Sequence, residues 1–470
     1  MIYDAVVVGA GPNGLAAAVT IAEAGRSVLV VEANERPGGG ATSAELTIPG
    51  VVHDVCSAVH PLSATSPFLR SLPLDQHGLV WVYPEIDLAH PLDDGTALLL
   101  SRSLDHTAAS LGADGDAWRE LVEPLITRWR AITDGVLAPL VPPRHPLAMA
   151  RFALAGARSA EAVGRRFPAG RGAALLAGIA AHSCIRLDRP FTAGLGLVLG
   201  VAGHVDGWPV AQGGTQAISD ALVSYLKSLG GELETGHRVT ALDQLPDARV
   251  YLLDLGPRAA ISVLGARANS VIARRAGRFR YGAGVCKVDY ALSAPVPWTA
   301  TEAGRAGTLH LGGSRAEIAE SEKTVTSGRA ATRPFVLVSQ PTVCDPTRAP
   351  AGVHTLWAYS HVPAASGLDA SAAIEQQVER FAPGFRDIVI ARSVRTTTDL
   401  EASNPNLVGG DIAGGSLDGL QLIARPRLTL QPYRLGDGAY LCSASTPPGA
   451  GVHGMCGHHA ARAALRHELR

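Results

Sequence analysis

The chain holds no C-x-x-C pair. Its six cysteines, Cys56, Cys184, Cys286, Cys344, Cys442 and Cys456, are scattered along the sequence. That spacing argues against a zinc ribbon, a disulfide scaffold and a dithiol redox centre. An excess of one charge is also lacking, with 41 Lys plus Arg against 42 Asp plus Glu and a net charge of −1. Without a global basic field, a general nucleic-acid binder is excluded. No uninterrupted apolar run reaches about 18 residues, so no spanning helix is expected. No leader is expected either, because residues 3–8 already read as a buried strand. G-x-S-x-G does not occur, and His458 and His459 are adjacent rather than four apart, so no metal site is expected. What remains is a chain of 470 residues, 47 % hydrophobic and 18 % charged. At roughly 100–200 residues per domain this is two to four packed domains, not a disordered chain. It reads as an enzyme of a reducing compartment, with a cytoplasmic location expected.

The start carries the most information. Asp4-Ala-Val-Val-Val8 is a continuous apolar strand, as expected of a central parallel strand. It runs into Gly9-Ala-Gly11-Pro12-Asn13-Gly14, then an alanine-rich helix over 15–24, then a second buried strand over 27–31 that finishes at Glu32. This is βαβ with G-x-G-x-x-G at the first turn and an acid 18 residues beyond the third glycine. Gly9 permits the tight turn, Gly11 lets the backbone approach a diphosphate, and Gly14 lets helix and strand pack. The N–H groups at the helix start and the helix dipole favour an anion. Glu32 can accept from ribose hydroxyls and would repel a 2′-phosphate. The expected fold is α/β with a Rossmann-like dinucleotide-binding domain.

After Glu32 comes Ala33-Asn-Glu-Arg36-Pro-Gly38-Gly39-Gly40-Ala41-Thr42. A free-standing nicotinamide dehydrogenase has no reason for a glycine cluster here, whereas a resident flavin does. These residues resemble the E-x₅-GG motif of the FAD-dependent amine oxidase and phytoene desaturase superfamily. The resemblance implies FAD as cofactor, with Ala33, Arg36, Gly38, Gly39, Gly40, Ala41 and Thr42 along it. Many members carry Arg immediately after the Gly-Gly pair, where this chain has Gly40.

Further matches lie in the middle and at the end. Gln212-Gly213-Gly214 leads to an amphipathic helix over 217–229, with strands expected over 238–242 and 249–253. The resemblance implies that this stretch returns to the FAD sheet and that the backbone of Val239 faces the adenine. At the end, Thr446-Pro-Pro-Gly449-Ala-Gly451-Val452-His453-Gly454-Met455 opens a helix over 456–467. A helix start placed at the flavin pyrimidine would stabilise negative charge there. The resemblance implies that Thr446, Gly451, Val452 and Met455 lie along the flavin. The acid common in this motif is replaced by Ala444. With Gly409-Gly410-Asp411 and Arg425-Pro426, the ending most resembles the phytoene-desaturase-like pyridine nucleotide-disulfide oxidoreductase domain-containing proteins.

The expected division is an FAD-binding domain from 1–60, 205–277 and 425–470, and a substrate and cap domain from 61–204 and 278–424. The first substrate stretch reads as mainly helical. The second has strand patterns over 285–292, 334–340 and 354–359, which together imply a mixed sheet under a helical cap. His53, Asp54, His60 and His453 are acid–base candidates by type and place; each is also explained by packing, and no catalytic residue is assigned. Lys287 is a further candidate beside the flavin, with the polar side of an alternating strand as its simpler reading. Cys442 and Cys456 read as flavin neighbours or inert packing residues.

The expected function is FAD-dependent hydride transfer that desaturates, saturates or isomerises an apolar, unsaturated small molecule. Alternatives are an amine or amino-acid oxidase and a flavin-binding interaction protein with little turnover. No second strand-linked G-x-G-x-x-G is present, so no dedicated NAD(P)H domain is expected. Residues 144–171 hold six arginines and one acid, Glu161, with Arg151, Arg158 and Arg165 seven apart and Leu147, Phe152, Leu154 and Val163 interleaved. A solvated cap face is the simpler reading, and peripheral membrane contact through one helix face is the alternative.

Overall fold

A computed structural model describes residues 2–470. Its centre is a six-stranded sheet in the order Arg434–Gly436, Ala439–Leu441, Ala248–Leu253, Tyr3–Val8, Val28–Val31, Glu232–Glu234. The pairs are parallel except for the terminal hairpin of Arg434–Gly436 with Ala439–Leu441. Alternation along these strands assigns side chains to two faces. Ala5, Val7, Val28, Val30, Val250 and Leu252 pack under the helices Pro12–Glu23, Gln216–Ser228 and Met455–His467. Val6, Val8, Leu29, Val31 and Leu253 pack on the other face against Pro257–Leu264. Both faces are covered, which is why these strands are apolar throughout.

A seven-stranded mixed sheet forms the second layer, in the order Val389–Arg395, Gly284–Leu292, His354–Val362, Val336–Ser339, Ala306–Leu311, Ile86–Pro91, Ala97–Leu100. Ser371–Phe381 packs on it through Ile374, Val378 and Phe381. Helices between residues 104 and 205 build a separate apolar cluster around Trp118, Trp129 and Trp208.

Four expectations change. Residues 238–242 are not a strand; the sheet edge is Glu232–Glu234, and the chain then runs as a loop. The stretch expected as mainly helical also donates the hairpin Ile86–Pro91 and Ala97–Leu100 to the second sheet: Ile86, Ala89 and Leu99 pack into that sheet's core, and Leu88, Leu98 and Leu100 into the helical cluster. Lys287 and Asp289 are buried rather than on a polar strand face, since the sheet is covered on both sides there. The arginine repeat does not share one helix. Helix Pro146–Gly156 stops, and Ser159 caps a new one, Ala160–Gly164, its hydroxyl accepting from the Ala162 N–H. A serine N-cap satisfies backbone donors that a continuous helix would bond internally. Among the described residues no helix is long and apolar enough to cross a membrane.

Candidate functional site

A cavity of about 950 Å³ runs between the two sheets. Its wall includes Val31, Glu32, Ala33 and Val239, the turn residues Gly9, Gly11, Pro12, Asn13, Gly39 and Gly40, and Ser443, Ala444, Gly451, Val452 and His453. It ends in a chamber walled by Met149, Phe152, Leu195, Val198, Leu337 and Trp357.

The helix Pro12–Glu23 opens into this space with Gly11 at its N-cap and no side-chain cap. Pro12 has no N–H and the Gly14 N–H is held by Asp254 at 2.9 Å, so the Asn13 N–H is the first-turn donor left for an anion. The buried Oδ1 of Asn13 has no partner among the described residues, another group left for a ligand. A Cβ on Gly14 would stand 2.0 Å from the Gly9 carbonyl oxygen, so that glycine permits the strand-to-helix packing. Gly39 adopts φ +54°, and a Cβ there would press on Gly11 at 3.1 Å. Glu32 is buried, accepting from the N–H of Ala10 at 2.7 Å and of Asn34 at 2.9 Å. A carboxylate has about four lone-pair sites, so capacity for ribose hydroxyls remains.

Sequence reasoning missed Asp254. It follows the strand Ala248–Leu253 as Glu32 follows Val28–Val31, and an acid ending a buried apolar strand is the signal that could have found it. Its Oδ2 accepts from the Gly14 N–H at 2.9 Å. Burial, with the Glu32 charge adding to it, raises the Asp254 carboxyl to about pKa 7.

Several singled-out residues stand behind the wall rather than on it. Gly14, Gly38, Ala41 and Thr42 shape the turn, and Arg36 is exposed. Thr446 donates its hydroxyl to the Ser443 carbonyl, and Met455 is packed in the core. A Cβ at Gly40 would meet only Cys56 Sγ, at 3.9 Å, so the missing arginine leaves open space.

The acid–base candidates separate clearly. Asp54 is buried against Arg348 at 2.9 Å, with Asp345 on the same guanidinium at 2.8 Å, and stands off the cavity wall. His53 contacts Thr47 at 2.8 Å and stands 3.6 Å from Asp289, also off the wall. His453 accepts the Met455 N–H at Nδ1, 3.0 Å, and so caps the last helix from the cavity side. His60 lines the cavity; Thr215 donates its hydroxyl to Ser57 and so accepts from His60 Nε2 at 2.9 Å. That leaves His60 Nδ1 as a buried acceptor without a partner among the described residues, and burial lowers its pKa to about 4. Lys287 lines the chamber, paired with Asp289 and 5.7 Å from the Trp357 ring centre. Burial lowers its pKa against the opposing pull of Asp289. Cys442 and Cys456 are buried off the wall with raised pKa values, again from burial. Among the described residues no group of three or more His, Cys, Asp or Glu side chains is arranged for a metal ion.

Comparisons with known proteins agree with this geometry. Residues 7–72 match the NAD(P)-binding Rossmann-like domain family. Pyridine nucleotide-disulfide oxidoreductase domain-containing protein 2 of Rattus norvegicus is 26 % identical, over 99 % of this chain and 93 % of its own. One chain of the limonene dehydrogenase of Castellaniella defragrans is 28 % identical over 29 % of this chain and 24 % of its own. In three dimensions, a putrescine oxidase bound to putrescine superposes with TM-score 0.63 at 18 % identity, covering all of both chains.

Proposed function

We propose that this chain, a Rossmann-fold oxidoreductase of the amine oxidase and phytoene desaturase superfamily, binds FAD and acts on an apolar, unsaturated small molecule. One observation carries the reading: a single cavity is lined by Glu32, by the head of the first helix, by the C-terminal glycine loop and by apolar side chains of the cap and second sheet. A nicotinamide dinucleotide gives no reason for the glycine turn over 38–40; a flavin does, and Gly39 and Gly40 stand on the wall it would follow. The volume is at the upper end for small-molecule sites, enough for a large cofactor and part of a substrate.

FAD, when bound, supplies the hydride acceptor. The chain's own residues do the rest. Glu32 binds ribose, and Gly11 and Asn13 present the helix head to the diphosphate. The loop from Ser443 to His453, leading into the helix Met455–His467, stabilises charge at the ring end. The chamber's apolar side chains would position the substrate, which for hydride transfer is most of the task. Among the described residues Lys287 is the only lysine on the wall, and it can hold or give a proton there.

An amine substrate is disfavoured. Among the described residues the only carboxylates lining the cavity are Glu32 and Asp254, both at the dinucleotide end, so a cationic amine would meet no carboxylate in the chamber. Limonene, named in one relative, is a hydrocarbon of the class the chamber suits. An absorbance spectrum of the purified protein tests the cofactor, and anaerobic titration with apolar polyenes and with amines tests the substrate. Flavin bands bleached by the polyenes alone are expected; colourless protein or bleaching by amines would refute the reading.

Entry from an anionic lipid surface is part of the same proposal. Helix Pro146–Gly156 lines the chamber with Met149, Phe152 and Gly156, while on its outer side Leu147 is 85 % and Leu154 73 % exposed. Arg144, Arg151 and Arg158 are exposed beside them, and no acid lies between residues 135 and 160. Apolar side chains flanked by arginines suit anionic headgroups.

A further inference from the structure

The chamber wall also carries a cluster that the proposed flavin chemistry leaves unused. Cys184 follows the short turn Ala181–Ser183 and sits at φ +53°, rare for a residue other than glycine. Its Sγ is 3.3 Å from His361 Nε2. His361, on strand His354–Val362, places Nδ1 2.8 and 2.9 Å from the two carboxylate oxygens of Glu322, on helix Arg315–Thr326. All three residues are buried. Thiol, imidazole and carboxylate in this order are nucleophile, base and orienting acid.

Two neighbouring groups ask for a ligand. Ser183 Oγ and Thr308 Oγ1 are buried, line the same chamber and have no partner among the described residues. Apolar Leu337, Trp357 and Ile412 line the chamber with them, as do His182, Lys287 and Tyr359. A ligand that satisfies these hydroxyls brings a polar oxygen on an apolar body.

We propose that Cys184, His361 and Glu322 are a second reactive centre, which adds the Cys184 sulfur to an apolar α,β-unsaturated carbonyl compound. The sulfur forms a bond to the β-carbon, the C=C π pair shifts to give an enolate, and the His361 Nε2 proton ends on the α-carbon. That proton is the one the Cys184 thiol gives to His361 Nε2, so thiol and enone sum to the thioether. Nothing is oxidised or reduced overall. Ser183 and Thr308 donate to the carbonyl oxygen as it gains charge.

The surroundings favour the protonated form of His361. Burial alone would lower the His361 pKa, but Cys184 and Glu322 hold it well above its usual value. On the cysteine's own turn stands His182, 3.0 Å from His310 of strand Ala306–Leu311, and burial depresses both. Tyr359, on the His361 strand, is pushed up by burial and by the Cys184 charge, and so is neutral. Burial also raises the thiols of Cys56, Cys286, Cys344, Cys442 and Cys456. His361 is thus the cation of this cluster, and among the described residues Cys184 is the one thiol hydrogen-bonded to an imidazole.

The test uses the full-length protein as purified, with cyclohex-2-enone as probe, followed by intact mass and peptide mapping. The expected result is one adduct, on Cys184, at a rate that climbs less steeply with pH than that of an ordinary thiol. Cys184→Ser removes the adduct. His361→Gln restores a rate that climbs roughly tenfold per pH unit below the ordinary thiol pKa. The wild-type profile stands alone if a variant fails to fold. No adduct on Cys184, equal labelling of the other five thiols, or an ordinary thiol pH profile in the wild type would overturn the proposal. This outcome is independent of whether the cofactor is FAD, because the addition needs no electron acceptor.

Discussion

Asp254 Oδ2 lies 2.9 Å from the Gly14 N–H, so a carboxylate shares the head of the helix that would receive a diphosphate. Two anions cannot both be stable there, and the protein answers with a carboxyl that burial holds near pKa 7. Protonated, it leaves the helix dipole to the ligand. The affinity for an anionic dinucleotide should therefore fall as pH rises through about 7. In Asp254→Asn this dependence should disappear, as equilibrium binding across pH will check.

The same carboxyl has a stability signature. Its folded pKa lies above the unfolded value, so its contribution is fully present below about pH 4 and lost as pH rises through about 7. Apoprotein Asp254→Asn should gain stability relative to wild type over that window, by at most about 1.4 kcal/mol for each step of one in pH. Denaturant melts at pH 5 and 8 give the comparison; an unchanged difference would contradict it.

Gly457→Ala should destabilise the fold sharply. A Cβ there would stand 1.7 Å from the Asn13 carbonyl oxygen and 2.9 Å from the Ala17 nitrogen. The first and last helices would have to separate, moving both the diphosphate end and the ring end of the site. Loss of bound cofactor together with a lowered melting temperature is expected, although alanine is otherwise the better helix former.

Lys287→Met should cost about 3–5 kcal/mol, because it strands Asp289 without its partner. Asp289, already at about pKa 6 through burial, would take up a proton at neutral pH. Adding Asp289→Leu should restore much of the stability, since apolar replacement of a buried pair is often neutral. Turnover should not return if Lys287 handles a proton. Urea melts beside rates separate the two roles.

Leu147→Asp with Leu154→Asp should abolish salt-sensitive sedimentation with anionic vesicles and leave the spectrum unchanged, because both side chains project outward from the chamber helix. Wild-type protein that fails to sediment at low salt would refute lipid-surface entry.

The dinucleotide cradle was legible because it is local. Turn, helix start, strand and acid between Gly9 and Glu32 follow one another within a single βαβ motif, and glycine placement there answers to backbone sterics alone. The break at Ser159 was legible in principle too, but the seven-residue arginine spacing masked the cap. The strand expected over 238–242 failed for a different reason: extended sequence has no ladder unless a neighbour is available, and Glu232–Glu234 takes the edge first.

The sequence by itself determined that a buried parallel strand meets a glycine-rich turn and a helix start, and that an acid ends the next strand. Only the tertiary structure decided which distant residues meet. Asp254 reaches Gly14 across 240 residues, and Cys184 reaches His361 across 177. Such pairs are set by sheet order and by which helices cover which face. Those are properties of long-range burial, which local propensity and spacing do not encode.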